Sequence, residues 1–215
     1  MIKKITAELI GSMILVITAV SSFILFDMVF ESPIYVTVFS NAIAVAFVLV
    51  ALIEIFTPIS GAHFNPVVTM VFLFEKKLNI GQASIYIIIQ IIGGIVGTVL
   101  SHLMFYDHVN DLVAVSEIAR GGSVFYGEII GTFVLVFVIL MLVKIKSSRA
   151  PLVVGFLVGG QVMATSSTLF ANPQVTIARM LSSTGVGIRP MDGVVFIIMQ
   201  FIGALLAYGV YKLLK

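Results

Sequence analysis

Six long apolar stretches constrain this chain more than any other feature of its sequence. They cover residues 5–26, 34–56, 82–105, 125–143, 150–168 and 192–211. A helix of about 20 residues crosses the roughly 30 Å of hydrocarbon in a bilayer, so each stretch is long enough to span a membrane. Only 10% of the residues are charged, against about 25% in soluble domains. The sequence therefore predicts an all-α membrane protein with six transmembrane helices, built as a single domain over residues 1–215.

The placement of lysine and arginine predicts the orientation in the membrane. If the N-terminus is cytoplasmic, nine basic residues fall on the cytoplasmic side: Lys3, Lys4, Lys76, Lys77, Lys144, Lys146, Arg149, Lys212 and Lys215. The other side receives Arg120, Arg179 and Arg189. Because cytoplasmic loops carry the excess of basic residues, we expect a multi-pass protein of the cell membrane, surrounded by lipid, with both termini in the cytoplasm.

The two halves of the chain, about residues 1–110 and 120–215, share landmarks in the same order. The matching segments begin at Glu8 and Glu128, at Asn65 and Asn172, and at Gln90 and Gln200. Each half holds three spans, an odd number, so the second half must be inserted upside down relative to the first. The pattern indicates the inverted 3+3 repeat of many transport proteins, in which short broken segments at corresponding positions mark the pathway.

The two Asn-Pro pairs predict two short helices that enter the membrane without crossing it. Asparagine is a preferred N-cap, and proline fits the first helical position because its missing N–H has no partner there. We therefore expect half-helices over 66–74 and 173–181, each roughly 13 Å long, with their N-termini meeting at Asn65 and Asn172 near the bilayer midplane. Irregular backbone at that depth is tolerated where it lines water. The carbonyl groups expected to line this path are Gly61, Ala62, His63, Leu169, Phe170 and Ala171.

This arrangement has a chemical consequence for whatever passes between the half-helices. A water molecule at the junction would accept hydrogen bonds from both asparagine amides, which turns its oxygen toward them and interrupts a proton wire. The positive ends of the two helix dipoles repel cations. The sequence thus favours a path for water and neutral solutes.

The segment Ser60-Gly-Ala-His-Phe-Asn-Pro-Val-Val-Thr69 resembles the first signature loop of the aquaporin and glycerol-facilitator (major intrinsic protein) family, and the resemblance extends over essentially the whole chain. It implies an aquaporin-like bundle of six spans and two re-entrant half-helices that acts as a passive channel. A homotetramer with one pore per subunit is also implied. Finally, it implies that Glu8 and Glu128 brace the re-entrant loops by accepting hydrogen bonds.

Departures from the family pattern concern selectivity. Water channels place an arginine three residues after the second asparagine, where this chain has Val175. Carrying over the other filter positions by ungapped spacing gives Val45, Gly160 (or a neighbour such as Gly159) and Leu169, so we expect a wide, apolar filter suited to glycerol-like or metalloid solutes. The loop Phe170–Arg179 is similar to a prokaryotic branch linked to arsenic-resistance genes, whose members are thought to pass methylated arsenicals. Arg179 either reaches back to the filter or is a structural arginine bonded to loop carbonyls.

Three alternatives remain open on sequence grounds: a strict water channel, a coupled secondary transporter, and a scaffold with a closed pore. Against a coupled transporter, the spans offer no Asp, Lys or Arg as an ion relay. We expect no enzymatic activity and no cofactor, because no group of nucleophile, base and metal ligands is evident. His102 and His108 are expected to be surface histidines rather than metal ligands. No nucleic-acid partner is expected, since the basic residues are scattered.

Overall fold

The computed structural model describes residues 1–215; its regular secondary structure is entirely helical, with eight α-helices joined by turns and loops. The six long helices are α1 (Ile2–Ile24), α2 (Ile34–Ser60), α4 (Ile80–Met104), α5 (Val124–Lys144), α6 (Ala150–Ala164) and α8 (Pro190–Leu214). Two short helices lie between them, α3 (Pro66–Phe74) and α7 (Pro173–Arg179). A π-helical turn, Leu25–Val29, extends α1. Five of the long helices have the length and apolar composition of membrane spans, and α6 is a shorter apolar helix.

The sixth apolar stretch is helical over less of its length than the sequence predicts. Helix α6 ends at Ala164, whereas the apolar stretch runs to residue 168. Four hydroxyl residues in a row, 165–168, explain the early end, because their side chains bond to nearby backbone and compete with the helix. Thr168 Oγ1 donates to Ser167 O at 2.6 Å, and Leu169 N donates to Ser167 Oγ at 3.3 Å. Helix α7 also ends two residues earlier than expected, whereas α3 covers the predicted 66–74.

The inverted repeat is visible in how the helices pack. Helix α1 packs along α4 in the first half, α5 packs along α8 in the second, and α2 packs against α6 between the halves. Glycine makes the first two contacts close. A Cβ added at Gly93 would lie 2.6 Å from Leu9 O, and one at Gly203 would lie 2.4 Å from Ile129 O. Both glycines therefore allow one helix backbone to touch its neighbour, as small residues do in membrane bundles.

Both chain termini lie on one face of the bundle, which we call the terminal face. Glu75, which follows α3, accepts hydrogen bonds there from Tyr208 at 3.1 Å, Tyr211 at 3.4 Å and Lys212 at 3.2 Å, and also from Lys215. The hydrogen bond from Lys215, helped by those from Lys212 and Tyr208, lowers the pKa of Glu75 to about 2. The end of α8 is thus tied to the first half-helix.

The long connection between α4 and α5 covers the opposite face. Its backbone pairs with the segment after α7: Ser116 N donates to Met180 O at 2.8 Å, and Arg189 N donates to Ile118 O at 2.8 Å. Arg120, in the same connection, donates from Nε to Gly187 O at 2.8 Å and from Nη2 to Gly185 O at 3.0 Å. The connection therefore fixes the loop that follows the second half-helix.

His102 corrects one expectation, because it is fully buried rather than at the surface. Its Nδ1 lies 3.0 Å from Leu112 O and its Nε2 lies 2.9 Å from Ser182 Oγ. The ring therefore joins α4 to both segments on the opposite face. The prediction failed because these partners come from distant parts of the chain. His108 is exposed, as expected.

Candidate functional site

Asparagine caps begin both half-helices, as the Asn-Pro pairs predict. Asn65 Oδ1 accepts from Val67 N at 3.0 Å, and Asn172 Oδ1 accepts from Gln174 N at 3.2 Å. Both caps have extended backbone with φ of −157°, and a proline follows each at the first helical position. The side-chain oxygen of each asparagine is thus used within its own half-helix.

The amide nitrogens of the two asparagines reach across to the other half. Asn65 Nδ2 donates to Ala171 O at 2.8 Å, and Asn172 Nδ2 donates to Phe64 O at 2.8 Å. A side-chain amide carries two N–H groups, so one from each asparagine remains. Both residues line the same cavity. The structure therefore brings Asn65 and Asn172 together with one donor apiece available to a permeating molecule.

The two re-entrant loops share an unusual backbone conformation. Positive φ angles occur at matching positions of the two loops, namely Gly61, Ala62 and Phe64 in the first and Thr168, Leu169 and Ala171 in the second. For a residue other than glycine this conformation costs roughly 1–2 kcal/mol, so the surroundings must hold it in place.

This conformation leaves a row of backbone carbonyls in each loop without a protein donor. They are Gly61, Ala62 and His63 in the first loop, and Thr168, Leu169 and Phe170 in the second. Ala171, expected in this row, instead accepts from Asn65, and Thr168 takes its place. All six residues line the cavity, where such carbonyls can accept from hydroxyl groups.

Glu8 and Glu128 hold the two loops in the same manner. Glu8 accepts from His63 N at 3.0 Å and from Phe64 N at 2.8 Å. Glu128 accepts from Phe170 N at 3.0 Å and from Ala171 N at 2.8 Å. Each carboxylate is fully buried. Because these bonds fix the loop N–H groups on one side, the carbonyls are left facing the other.

Two glutamines complete this scaffold, and sequence analysis assigned them no role. Gln90 Nε2 donates to Glu8 Oε2 at 2.8 Å and to Thr69 Oγ1 at 3.0 Å. Gln200 Nε2 donates to Glu128 Oε2 at 2.6 Å and to Thr176 Oγ1 at 2.9 Å. Their paired positions in the internal repeat were the available signal.

The His63 ring braces the first loop from the side. It stacks on Phe72 with 4.6 Å between ring centroids and contacts the edge of Tyr86. Its Nδ1 lies 3.1 Å from Thr69 Oγ1. The His63 backbone N–H donates to Glu8, and its backbone carbonyl has no protein donor.

A cavity of about 180 Å³ runs between the half-helices and the long helices around them. Of its 29 lining residues 21 are hydrophobic, so the wall opposite the loop carbonyls is apolar. The filter residues expected from the sequence that line it are Val45, Leu169, Val175 and Arg179. The combination of an apolar wall with a row of acceptors suits solutes that have a carbon backbone and hydroxyl groups.

Gly160 does not line this cavity, so its assignment to the filter is wrong. The cavity side of α6 presents Val154, Val158 and Val162, spaced four residues apart, and Gly159 packs on α2. With 3.6 residues per turn, Gly160 falls on the other side of the helix, where it is exposed and an added Cβ would meet nothing within 4 Å.

Arg179 has contacts that fit both of the roles that the sequence left as alternatives. Its Nε donates to Val186 O at 2.6 Å, so it is bonded to a loop carbonyl. Its guanidinium also lies over the Phe170 ring, 3.6 Å from the centroid, and the residue lines the cavity. No carboxylate pairs with it. Its terminal nitrogens have no protein acceptor and remain available to a solute.

An inverted repeat of three spans, two re-entrant half-helices and a cavity lined by both define a multi-pass membrane channel. The sequence profile of the major intrinsic protein family matches residues 1–168. The aquaglyceroporin AqpS of Rhizobium meliloti (strain 1021) is 35% identical over 210 residues, which cover 98% of this chain and 89% of that protein. The chain therefore belongs to the major intrinsic protein family, a family of channels, and the expectation from its signature loop is confirmed.

Other relatives are similar over less of their length or at lower identity. Aquaporin-1 of Ovis aries is 34% identical over 163 residues, which cover 71% of this chain and 58% of that protein. The X-ray structure of the aquaglyceroporin from Plasmodium falciparum superposes with a TM-score of 0.72 at 16% identity, covering 98% of this chain and 95% of the other. The structural likeness supports the fold alone.

Proposed function

We propose that this chain is a passive channel for water and for neutral hydroxylated solutes of about the size of glycerol. The observation that carries the proposal is the two-sided cavity. Six unpaired loop carbonyls and two asparagine amides stand on one side, and an apolar wall stands on the other. A solute that sheds its water can rest its carbon backbone on the apolar wall and donate its hydroxyls to the carbonyls. The relative AqpS, which is named an aquaglyceroporin and matches 98% of this chain, supports this choice over a strict water channel.

The residues at the filter favour a broad pore. Val175 occupies the position where water channels carry an arginine, and it lines the cavity with Val45 and Leu169. None of the three side chains can form hydrogen bonds. Uncharged metalloid species, including methylated arsenicals, therefore belong to the solute class that we propose.

Exclusion of ions and protons is assigned to the junction and to Arg179. The free N–H groups of Asn65 and Asn172 orient water oxygen toward both half-helix N-termini, and the helix dipoles there oppose cations. Arg179 adds a full positive charge that repels cations. Because Val175 supplies no charge, the asparagine junction carries more of the exclusion than in channels with an arginine at that position.

The distribution of basic residues supports an orientation in the membrane. Nine basic residues lie on or beside the terminal face, which supports a cytoplasmic location for both termini in the plasma membrane. A homotetramer with one pore in each subunit is proposed from family membership.

Osmotic stopped-flow measurements on proteoliposomes test the proposal. Sucrose, glycerol and larger neutral solutes are applied with and without a pH gradient. We expect fast water and glycerol flux that does not depend on the gradient. Accumulation driven by the gradient would instead identify a coupled transporter, water flux alone would identify a strict water channel, and no flux would identify a scaffold.

Variants of Arg179 test the filter separately. Arg179→Lys keeps a positive charge, and Arg179→Met keeps only an apolar stem. We expect both to change glycerol flux, because both lose the planar fork of donors, and only Arg179→Met to admit cations. If the Met variant leaves solute flux and cation exclusion unchanged, Arg179 is not part of the filter.

A further inference from the structure

Asn41 lines the same cavity, although nothing in its sequence setting distinguishes it. It lies near the start of α2, and its side chain reaches to α1. Asn41 Nδ2 is 2.7 Å from Ala19 O and 2.9 Å from Ser22 Oγ. A backbone carbonyl can only accept, so the atom facing Ala19 O must be the amide nitrogen. These contacts determine the orientation of the amide.

Both N–H groups of the Asn41 amide are therefore used inside the protein. Ser22 in turn donates to Thr18 O at 2.6 Å, so its hydroxyl oxygen is available to accept from Asn41. The remaining polar atom, Asn41 Oδ1, has no protein donor, and it is not enclosed within the protein. Asn41 is thus fixed as a pure acceptor at the cavity wall.

The neighbours of Asn41 on this wall cannot replace it. Leu15, Ala19, Val45 and Leu49 line the cavity around it with apolar side chains. Arg179, which lines the same cavity near the opposite face, supplies donors only. Near Asn41, α1 and α2 therefore present one side-chain acceptor to the cavity, and Arg179 supplies side-chain donors; the Thr168 hydroxyl belongs to the second loop and donates to Ser167 O.

We propose that Asn41 is a specificity-determining residue of the pore, whose Oδ1 accepts a hydrogen bond from the solute while Arg179 donates to it. This inference rests on the proposed function as a neutral-solute channel. The ligand class is an uncharged molecule with both donors and acceptors, such as a polyol or an undissociated hydroxy acid. A cation is repelled by Arg179, and an anion that carries no hydroxyl or N–H group has no donor for Asn41.

The solute dependence follows from the geometry. A polyol that loses its water shell in this part of the cavity can donate some of its hydroxyls to the loop carbonyls, and Asn41 Oδ1 accepts from a hydroxyl that is turned toward α1 and α2. Water is smaller and can donate its hydrogen bonds to the loop carbonyls. Removing Oδ1 should therefore slow glycerol more than water.

The experiment compares wild type with Asn41→Leu, Asn41→Ala and Ser22→Ala in proteoliposomes. Leucine is nearly isosteric with asparagine but has no acceptor, and the alanine variant loses the acceptor without crowding the site. Ser22→Ala is the matched control, because it weakens the tie between α1 and α2 while leaving Oδ1 in place. Water and glycerol permeabilities are measured for each, with monodispersity as the check on folding.

We expect both Asn41 variants to lower the ratio of glycerol to water permeability by about threefold to tenfold, the size of one neutral hydrogen bond, and Ser22→Ala to leave the ratio within about twofold of wild type. An equal fall in water and glycerol, or the same fall in Ser22→Ala, would overturn the inference and leave Asn41 as a structural tie. If Asn41→Leu does not fold, Asn41→Ala against Ser22→Ala decides. Failure of wild type to pass glycerol would instead refute the proposed function.

Discussion

One methyl group added at Gly203 should separate the two helices that hold the second re-entrant loop. The new Cβ of Gly203→Ala would lie 2.4 Å from Ile129 O and 3.1 Å from Phe133 N, both backbone atoms of α5. Contacts of a Cβ below 3.0 Å are essentially never seen, so the helices must part by at least about 0.6 Å. Overpacking of this kind costs about 1–3 kcal/mol. We expect the upper part of that range because a backbone carbonyl cannot rotate away.

Gly209→Ala provides the matched control on the same helix. An added Cβ at Gly209 meets nothing within 4 Å, so this variant gains helix propensity, about 0.5–1 kcal/mol, without a clash. Gly203→Ala gains the same helix propensity, so the difference in stability between the two variants measures the cost of overpacking alone. At about 2–4 °C per kcal/mol for a chain of this length, Gly203→Ala should melt roughly 4–12 °C below Gly209→Ala in detergent.

The same displacement should reach the pore. Gln200, one turn before Gly203, donates to Glu128 Oε2 at 2.6 Å, and Glu128 holds the second loop. Parting α5 from α8 lengthens this bond, so solute flux should fall together with stability. Equal melting midpoints for Gly203→Ala and Gly209→Ala would refute the close-contact reasoning. A lowered midpoint with normal flux would refute the link to the loop.

Three further results are expected. Glu128→Gln should lower the free energy of unfolding by about 2–3 kcal/mol, because the nitrogen of the new side-chain amide must face a backbone N–H. Glu8→Gln should lower the free energy of unfolding at least as much, since Glu8 accepts hydrogen bonds from four groups and Glu128 from three. Denaturation of both variants measures this free energy. A smaller loss for Glu8→Gln than for Glu128→Gln would contradict the prediction. Because the Lys215 hydrogen bond lowers the pKa of Glu75 from 4.5 to about 2, the stability that Glu75 provides is present above pH 4.5 and is lost as the pH falls toward 2. The difference in melting midpoint between wild type and Glu75→Gln should shrink over that window, and a constant difference would count against the assignment. The chain has no cysteine, so mercurials should block flux only in a Val175→Cys variant, and resistance of that variant would argue that Val175 does not line the pore.

Local chemistry made the centre of the pore predictable from the sequence. An asparagine cap followed by proline leaves few choices for the backbone, so the start of α3 at Pro66 and of α7 at Pro173 follows directly. The pairing of Glu8 with Glu128 in the repeat likewise pointed to matching roles in the two halves.

Features that depend on helix rotation or distant contacts were not predictable. Gly160 was placed by spacing alone, and spacing does not reveal which side of α6 faces the cavity. Burial of His102 depends on Leu112 and Ser182, which lie in two segments that meet only after folding. In the sequence, Asn41 is a polar residue within a predicted span. Its role depends on a hydrogen bond to the backbone carbonyl of Ala19, which lies on another helix.

The reciprocal hydrogen bonds at the junction impose an order on biosynthesis. Asn65 needs Ala171 O and Asn172 needs Phe64 O, so neither half of the chain completes its own re-entrant loop. Synthesis proceeds from the N-terminus, so Asn65 Nδ2 gains its bond to Ala171 O only after the second loop has been made. Both half-helices are thus needed to complete the junction, and a ribosome-bound chain stopped before residue 171 should lack the hydrogen bond from Asn65 to Ala171 O.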